Sequence, residues 1–366
     1  MGFALDRITI RGFKSIRELK DFELKSLNVI IGANGAGKSN FIEFFRLISS
    51  MMKIDGLKEY VAGNADNYLY GGAKETRQIE VEMRFGQNGY DFVLAPTEDG
   101  FFLINDETRH YIPKGTSKLL GSGNFNPKLL MDKDSSSVFG YPHGASWYTY
   151  DAICSWEIYH FHDTSLNSGM RRYQDTAHNE YLFMDASNIA PYLRRLREEH
   201  PTSYKDIVES TRLAIPFFDD FVLEPNSKES IRLDWRQKGL KDYPMRPSQF
   251  SDGSIRFICL ATALLQPGLP STIIIDEPEL GLHPSAISLL AELIQSASKR
   301  TQLIVATQSQ ALIDQFAIED VVVVNRKGGA SSFERLEEVD YKEWLERYSV
   351  GELWSKNVIS GGPVYE

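Results

Sequence analysis

Leu27 to Asn40 reads LNVIIGANGAGKSN, and no other stretch limits the fold of this chain so tightly. Leu27 to Ile31 is apolar and rich in β-branched residues, as a buried strand requires. Gly32 to Ser39 then fit G-x-x-x-x-G-K-[ST], the spacing of a phosphate-binding P-loop. Beyond it Phe41, Ile42, Phe44, Phe45, Ile48, Met51 and Met52 recur at helical spacing, which supplies the strand-loop-helix context that the motif needs.

The residue types follow from the ligand. Glycines at 32, 35 and 37 take positive φ and let the backbone approach phosphate, so that N–H groups converge on an anion at a helix start. Lys38 supplies a mobile charge for the β- and γ-phosphates, and the Ser39 hydroxyl is a ligand for Mg²⁺. The expected triphosphate cradle therefore runs through Gly32, Asn34, Gly35, Ala36, Gly37, Lys38, Ser39 and Asn40. Arg11 and Lys14 lie in the lead-in to it, where a sideways approach to the nucleotide and a plain surface role are both open.

A second half-site stands far downstream. STIIIDEPELGLHP, residues 271 to 284, is an apolar strand that ends in two carboxylates. An aspartate at the C-terminal end of a parallel strand beside a P-loop can hold Mg²⁺, and the next residue can polarise water. Asp276 is accordingly read as the metal ligand and Glu277 as the general base. Phe250-Ser251-Asp252-Gly253-Ser254 precedes an apolar helix and makes another helix-start anion site. Two such sites in one chain require two phosphates or two subunits.

The rest of the chain supports an α/β fold. At 366 residues, with 42% hydrophobic and 25% charged, it has the composition of a soluble globular protein with room for one large domain or two. It has no apolar run of the roughly 18 residues that a span needs and no signal-peptide h-region, so a cytoplasmic protein without a membrane partner is expected. Cys154 and Cys259 are flanked by apolar residues and read as buried free thiols. A net charge of −10 argues against coating nucleic acid through the general field, while local patches at Arg171 and Arg172, at Arg194, Arg195 and Arg197, and at Lys238 to Arg246 stay open.

In order, strands are expected at 4–12, 17–25, 77–85, 90–94 and 101–105, the last three as an antiparallel subdomain, with a loop from 113 to 146. A strand at 156–161 precedes a helical stretch from 179 to 221, with Ser187 and Ser203 as N-caps, and then a hairpin of 221–223 with 230–237. Strand and helix then alternate: helix 254–265, strand 271–276, helix 284–298 with Pro284 at N1, strand 302–306, helix 310–316, strand 320–325, strand 332–338 and helix 341–348. Three parts are expected: an N-terminal lobe over 1–162, a mainly helical insertion over 163–249, and a C-terminal lobe over 250–366.

GANGAGKS at 32–39, FSDGS at 250–254, TIIIDEPELGLHP at 272–284 and VATQS at 305–309 together resemble the ABC-type ATPases of the SMC, RecF and OLD group. FHDTS at 161–165, MDASNIAPYLRRL at 184–196 and SVGELW at 349–354 resemble segments of compact bacterial members, predicted AAA-family ATPases that lack a coiled-coil arm. The resemblance implies a head-to-tail homodimer in which Ser251 and Gly253 of one subunit close over ATP on the other, with the Gly281 region joining the two sites. It places the Mg²⁺- and water-sensing loop near 161–164 without its usual glutamine, leaving His162 or Asp163 as the substitute. Asp252 stands where the family signature has a glycine, and Gln308 takes the place of the switch histidine, a group that can hydrogen-bond phosphate but cannot become cationic near neutral pH. Lys38, Glu277 and Gln308 are thus the expected catalytic set, with slow turnover.

The resemblance implies an ATP-gated switch acting on a separate effector, such as a nuclease or toxin in phage defence. A RecF-like DNA-repair ATPase that binds DNA directly is the alternative. A transporter subunit fits less well, because the chain carries a β-subdomain and no switch histidine. A GTPase fits least, since no N-K-x-D element is present.

Overall fold

The computed structural model describes residues 3–134 and 144–359. The N-terminal half supplies β1 (Arg7–Phe13), β2 (Ile16–Glu23), β3 (Leu27–Ile31), α1 (Lys38–Met51), α2 (Gly56–Val61), β4 (Ile79–Phe85), β5 (Asn88–Pro96), β6 (Phe102–Tyr111) and β7 (Thr116–Gly121). Next come α3 (Leu129–Asp132), α4 (Ala145–Cys154), β8 (Trp156–Tyr159), β9 (Gln174–Asp175), α5 (Ile189–Glu199), α6 (Pro201–Ala214), β10 (Phe218–Val222), β11 (Ser230–Ile231), β12 (Asp234–Gln237) and β13 (Leu240–Met245). The chain continues through α7 (Asp252–Leu265), β14 (Thr272–Asp276), α8 (Pro284–Ser298), β15 (Gln302–Thr307), α9 (Gln310–Ile313), β16 (Val321–Lys327), β17 (Ala330–Arg335), α10 (Glu338–Leu345) and α11 (Val350–Ser355).

Two six-stranded sheets organise these elements. The first has the order β17-β16-β3-β15-β14-β8 and is parallel except for β17. Its central strands are apolar at nearly every interior position because both faces are covered. Val29, Ile275, Val305 and Val323 point into one core with α5 to α8, while Ile30, Ile274, Ile304 and Val322 point into a second. The polar Asn28 is tolerated in β3 because its amide donates to the Lys25 and Leu303 carbonyls at 2.7 and 3.1 Å.

The second sheet is antiparallel, in the order β2-β1-β4-β5-β6-β7. Its inward residues Ile8, Ile10, Val81, Met83, Phe92 and Ile104 meet Phe41, Phe44, Phe45 and Ile48 of α1. Each such fully buried side chain contributes about 2 kcal/mol. The helix bearing Lys38 is therefore clamped between the sheets, and the P-loop is a rigid edge of the molecule.

Several local expectations change. The N-terminal strands are not a separate lead-in: β1 pairs with both β2 and β4, so β1 and β2 share one sheet with β4 to β7, while β3 between them joins the parallel sheet. The expected loop at 113–146 contains β7 along β6, then α3 and the start of α4; its residues 135–143 lie outside the described residues. Asn188 and His200, not Ser187 and Ser203, stand at the starts of α5 and α6, neither with a side-chain cap. Only β12 of the 230–237 stretch pairs with β10, while β11 pairs with β9. Residues 350–355 add a helix with a Ser349–Glu352 capping box that was not anticipated. Cys259 is buried as expected, but Cys154 is exposed at the end of α4. Among the described residues no helix is long and apolar enough to cross a membrane.

Candidate functional site

Parallel pairing brings three strand ends to one edge. Ile31 lies opposite Thr307, and Ala306 opposite Asp276, so the chain leaves β3, β14 and β15 side by side. Gly32, Gly35 and Gly37 have φ of 157°, 78° and 120°, all in the region that favours glycine. A Cβ on Gly37 would meet the Ser331 and Ser15 hydroxyls at 2.1 and 2.8 Å. Gly37 is the N-cap of α1 and offers no side-chain cap, so the first-turn amides face the loop.

Lys38 is buried, and its Nζ donates to the Gly32 and Ala33 carbonyls at 2.7 and 3.2 Å. Burial lowers its pKa, while the charges of Glu277, Asp276 and Glu279 oppose that shift. The lysine and the carboxylates therefore share one electrostatic neighbourhood. Ser39 and Asn34 are exposed. Asn40 was expected in the cradle, but its amide donates to Ser15 Oγ at 2.7 Å, and Ser331 Oγ donates to Ala36 O at 2.5 Å. These bonds fix the outside of the loop.

Burial raises the pKa of Asp276, and Glu277 raises it further. Glu277 has φ 46°, a left-handed conformation that costs a non-glycine residue about 1–2 kcal/mol. Its N–H donates to Ala306 O at 2.8 Å, and Gln308 Nε2 donates to its Oε1 at 2.7 Å. Glu279, unremarked in the sequence, is buried; its Oε1 accepts from Thr307 Oγ1 at 2.6 Å and from Gln308 N–H at 3.3 Å. Glu279 thus sets the turn that aims Gln308. The hard oxygens of Ser39 and Asp276 fit Mg²⁺, and the glycine cradle fits a triphosphate.

Two buried arginines join the remaining parts. Arg256 of α7 donates through Nε to Phe161 O at 2.9 Å, through Nη2 to His162 O at 3.3 Å, and through Nη1 to Leu280 O. Arg171 donates to Thr164 O at 2.8 Å, to Phe250 O at 3.1 Å, to Pro247 O, and to Asp252 Oδ1 at 2.9 Å. Arg171 is therefore structural and not part of a basic surface patch. Ser251 is exposed as the N-cap of α7, accepting from Ser254 N–H at 3.1 Å. A Cβ on Gly253 would lie 2.0 Å from Gly281 O, so the signature turn packs directly on the Gly281 loop. His162 Nε2 lies 3.2 Å from Asp276 O, whereas Asp163 is exposed and bonds its own turn at Ser165 N–H, 3.0 Å.

A cleft of about 710 Å³ opens beside the P-loop, lined by Lys14, Ser15, Asn40, Tyr70 and Arg326 among others. Lys14 lies over the Tyr68 ring at 4.9 Å, and Arg326 donates to Gly35 O at 3.1 Å. Arg11 lies on the outer face of the antiparallel sheet, engaged by Glu18, Glu80 and Glu82. No sequence signal marks Arg326, Ser331 or Arg256, since each bonds main-chain carbonyls of segments distant in the chain.

Residues 27–314 match the profile of the family described as "AAA domain, putative AbiEii toxin, Type IV TA system". No curated protein matches the chain by sequence. Among solved structures, an SMC head bound to the C-winged helix domain of ScpA is 16% identical over 93% of this chain and 99% of that one, with a TM-score of 0.56. An SMC head with an extended coiled coil, bound to the C-terminal domain of ScpA derived from Pyrococcus furiosus, is 16% identical over 94% of this chain and 98% of that one, with a TM-score of 0.55. At such identity the likeness is one of fold, that of SMC head domains.

Proposed function

The chain belongs to the family described as AAA domain, putative AbiEii toxin, Type IV TA system, and from that premise we propose that it binds and slowly hydrolyses ATP, closes head to tail with a second copy, and so switches a separate effector such as a nuclease or toxin in phage defence. One observation carries the head-to-tail part: Arg171 holds Asp252 at 2.9 Å, which draws its charge aside while Ser251 stays exposed at the start of α7. An anion can then approach the Ser251 and Gly253 turn.

In this reading Ser39 and Asp276 would hold Mg²⁺, which neutralises phosphate charge when bound. Lys38 exchanges the Gly32 and Ala33 carbonyls for phosphate oxygens. Glu277 accepts a proton from the attacking water, and Gln308 holds its carboxylate in place. A neutral glutamine there stabilises less charge than a cation, so turnover is expected below the roughly 10 per second of ordinary enzymes. The three parts, 1–162, 163–249 and 250–366, serve as nucleotide lobe, insertion and signature lobe of a cytoplasmic protein.

The DNA-binding alternative is weakened by pairing. Arg194, Arg195 and Arg197 sit against Glu198, Glu199 and Glu224, and Arg7, Arg11 and Arg84 on the antiparallel sheet are likewise engaged by carboxylates. In the Lys238 to Arg246 group, Lys238 donates to Pro216 O at 2.8 Å, and the Lys241 side chain lies outside the described residues. The test is the mass and composition of the Glu277→Gln protein recovered from its native host with ATP and Mg²⁺. A dimer or larger assembly with a stoichiometric second protein supports the switch. A bare dimer carrying nucleic acid, with binding that weakens steeply with salt, supports the alternative. A monomer indifferent to ATP defeats both.

A further inference from the structure

The mechanism above uses Asp276 and leaves two neighbouring histidines idle. Strand β8 is the parallel neighbour of β14, with Tyr159 opposite Ile275, so the next residue, His160, emerges beside Asp276. His162 lies two residues on, and extended chain puts both side chains on one side. Their rings stack with centroids 4.0 Å apart and 19° between planes. One nitrogen from each histidine and an Asp276 carboxylate oxygen all lie within 4.8 Å of one another.

We propose that His160, His162 and Asp276 form a binding site for a zinc-class divalent transition-metal ion at the rim of the nucleotide site. The inference deepens the nucleotide reading, because it shares the carboxylate assigned there to Mg²⁺, yet the binding itself needs no nucleotide.

The donor set decides the metal. Mg²⁺ takes oxygen ligands and keeps its waters, whereas imidazole nitrogens select later first-row ions, with Zn²⁺ near the top of that order. Two histidines and one carboxylate leave a fourth tetrahedral position open, as in exchangeable sites. Metal–ligand bonds of about 2.0–2.2 Å place ligand atoms roughly 3.4 Å apart. Closing from the present separations thus takes a shift of about an ångström, which rotation of the exposed His160 ring supplies.

The backbone under the ligands is already fixed. Arg256 holds the Phe161 and His162 carbonyls, Met184 O accepts from His160 N–H at 2.9 Å, and the His162 ring is bonded to the end of β14 at 3.2 Å. Such support is what a ligand set needs to be ready before the ion arrives. One group opposes the ion: Arg46 Nη2 lies 3.5 Å from His160 Nδ1. Its other partner, Glu43 at 3.5 Å on the same helix, gives the guanidinium a place to stay when the ring turns. An ion held here occupies Asp276 and competes with Mg²⁺.

The probe is Co²⁺ alone, titrated into the full-length, nucleotide-free protein and followed by its visible absorption. The wild type is expected to develop ligand-field bands that Zn²⁺ abolishes and Mg²⁺ with ATP diminishes. His160→Ala and His162→Ala should each weaken Co²⁺ binding at least about tenfold. His160→Gln and His162→Gln, which keep a hydrogen-bonding side chain, should do the same with an unchanged circular dichroism spectrum. Ser39→Ala removes an oxygen assigned to Mg²⁺ that lies outside the proposed set and should leave Co²⁺ affinity unchanged. Absence of bands in the wild type, unaltered affinity in the histidine variants, or an equal loss in Ser39→Ala would each overturn the proposal. ATP binding measured on the same wild-type sample separates the two readings, since its absence defeats the nucleotide site and leaves the cobalt result standing.

Discussion

Arg171→Ala tests the claim that a basic residue in the insertion is a structural tie. The Arg171 side chain is 3% exposed, and its guanidinium serves the carbonyls of Thr164, Pro247 and Phe250 as well as Asp252. Truncation strands three main-chain acceptors at about 1 kcal/mol or more each. The Asp252 pair adds little, because that carboxylate is 68% exposed and solvent screens it. With the cavity left behind, the expected loss is about 3–5 kcal/mol. Arg171→Lys, which replaces a planar fork by one ammonium, should lose roughly half of that. Urea unfolding followed by tryptophan fluorescence is well matched to the question, since Trp235 stacks on Phe250 at 4.6 Å and reports the turn that Arg171 holds. Stability of Arg171→Ala within about 0.5 kcal/mol of the wild type, the usual range for surface changes, would refute the tie and return Arg171 to the list of free cations.

Gly253→Ala gains helix propensity of about 1 kcal/mol but drives a methyl to 2.0 Å from Gly281 O. A backbone carbonyl yields little, so a net loss of about 1–2 kcal/mol in urea unfolding is expected, and a stabilised variant would show that the two loops do not pack. Glu277→Gln should lower ATP turnover by about 10²–10⁴ while ATP still binds, and residual turnover near that of the wild type would exclude Glu277 as the base. Lys38→Met should abolish measurable ATP binding by calorimetry, and retained affinity would remove the P-loop from the mechanism. Glu157 on β8 has a carboxyl pushed up to about 7 by burial, so the folded state holds its proton more tightly than the unfolded chain does. The penalty is absent at acid pH, grows between about 4.5 and 7 and persists above. Glu157→Gln should therefore stabilise the protein at pH 8 by up to about 3 kcal/mol and not at pH 4, and a pH-independent effect would contradict this.

What was legible in the chain follows from which constraints are local. Phosphate needs a close backbone, a mobile cation and a hydroxyl in consecutive positions, so Gly32 to Ser39 announce themselves. A strand buried on both faces is apolar at nearly every interior position, so β3, β14, β15 and β16 are legible close to their true limits. Pairing is different, because alternation tells which face a strand buries and not which strand lies beside it. That is why alternation alone does not join β1 and β2 to the sheet they belong to, nor separate Ser230–Ile231, whose partner is Gln174–Asp175, from β12. Strand β7 has Thr116 to Leu119 exposed at a sheet edge and so carries no period to read.

Charge is ambiguous in the same way. An arginine reads as solvated until its acceptors are known, and the acceptors of Arg171 and Arg256 are carbonyls, which have no sequence signature. The histidines show the rule at its sharpest. His160 and His162 stand far in sequence from Asp276, and nothing in HFHDTS or DEPEL alone relates them. One register, Tyr159 opposite Ile275, carries all the information that joins them, and a slip by one residue would turn both rings to the other face. Local motifs therefore mark the candidate phosphate site, whereas the metal ligands proposed at its rim are written in the pairing of the edge strand.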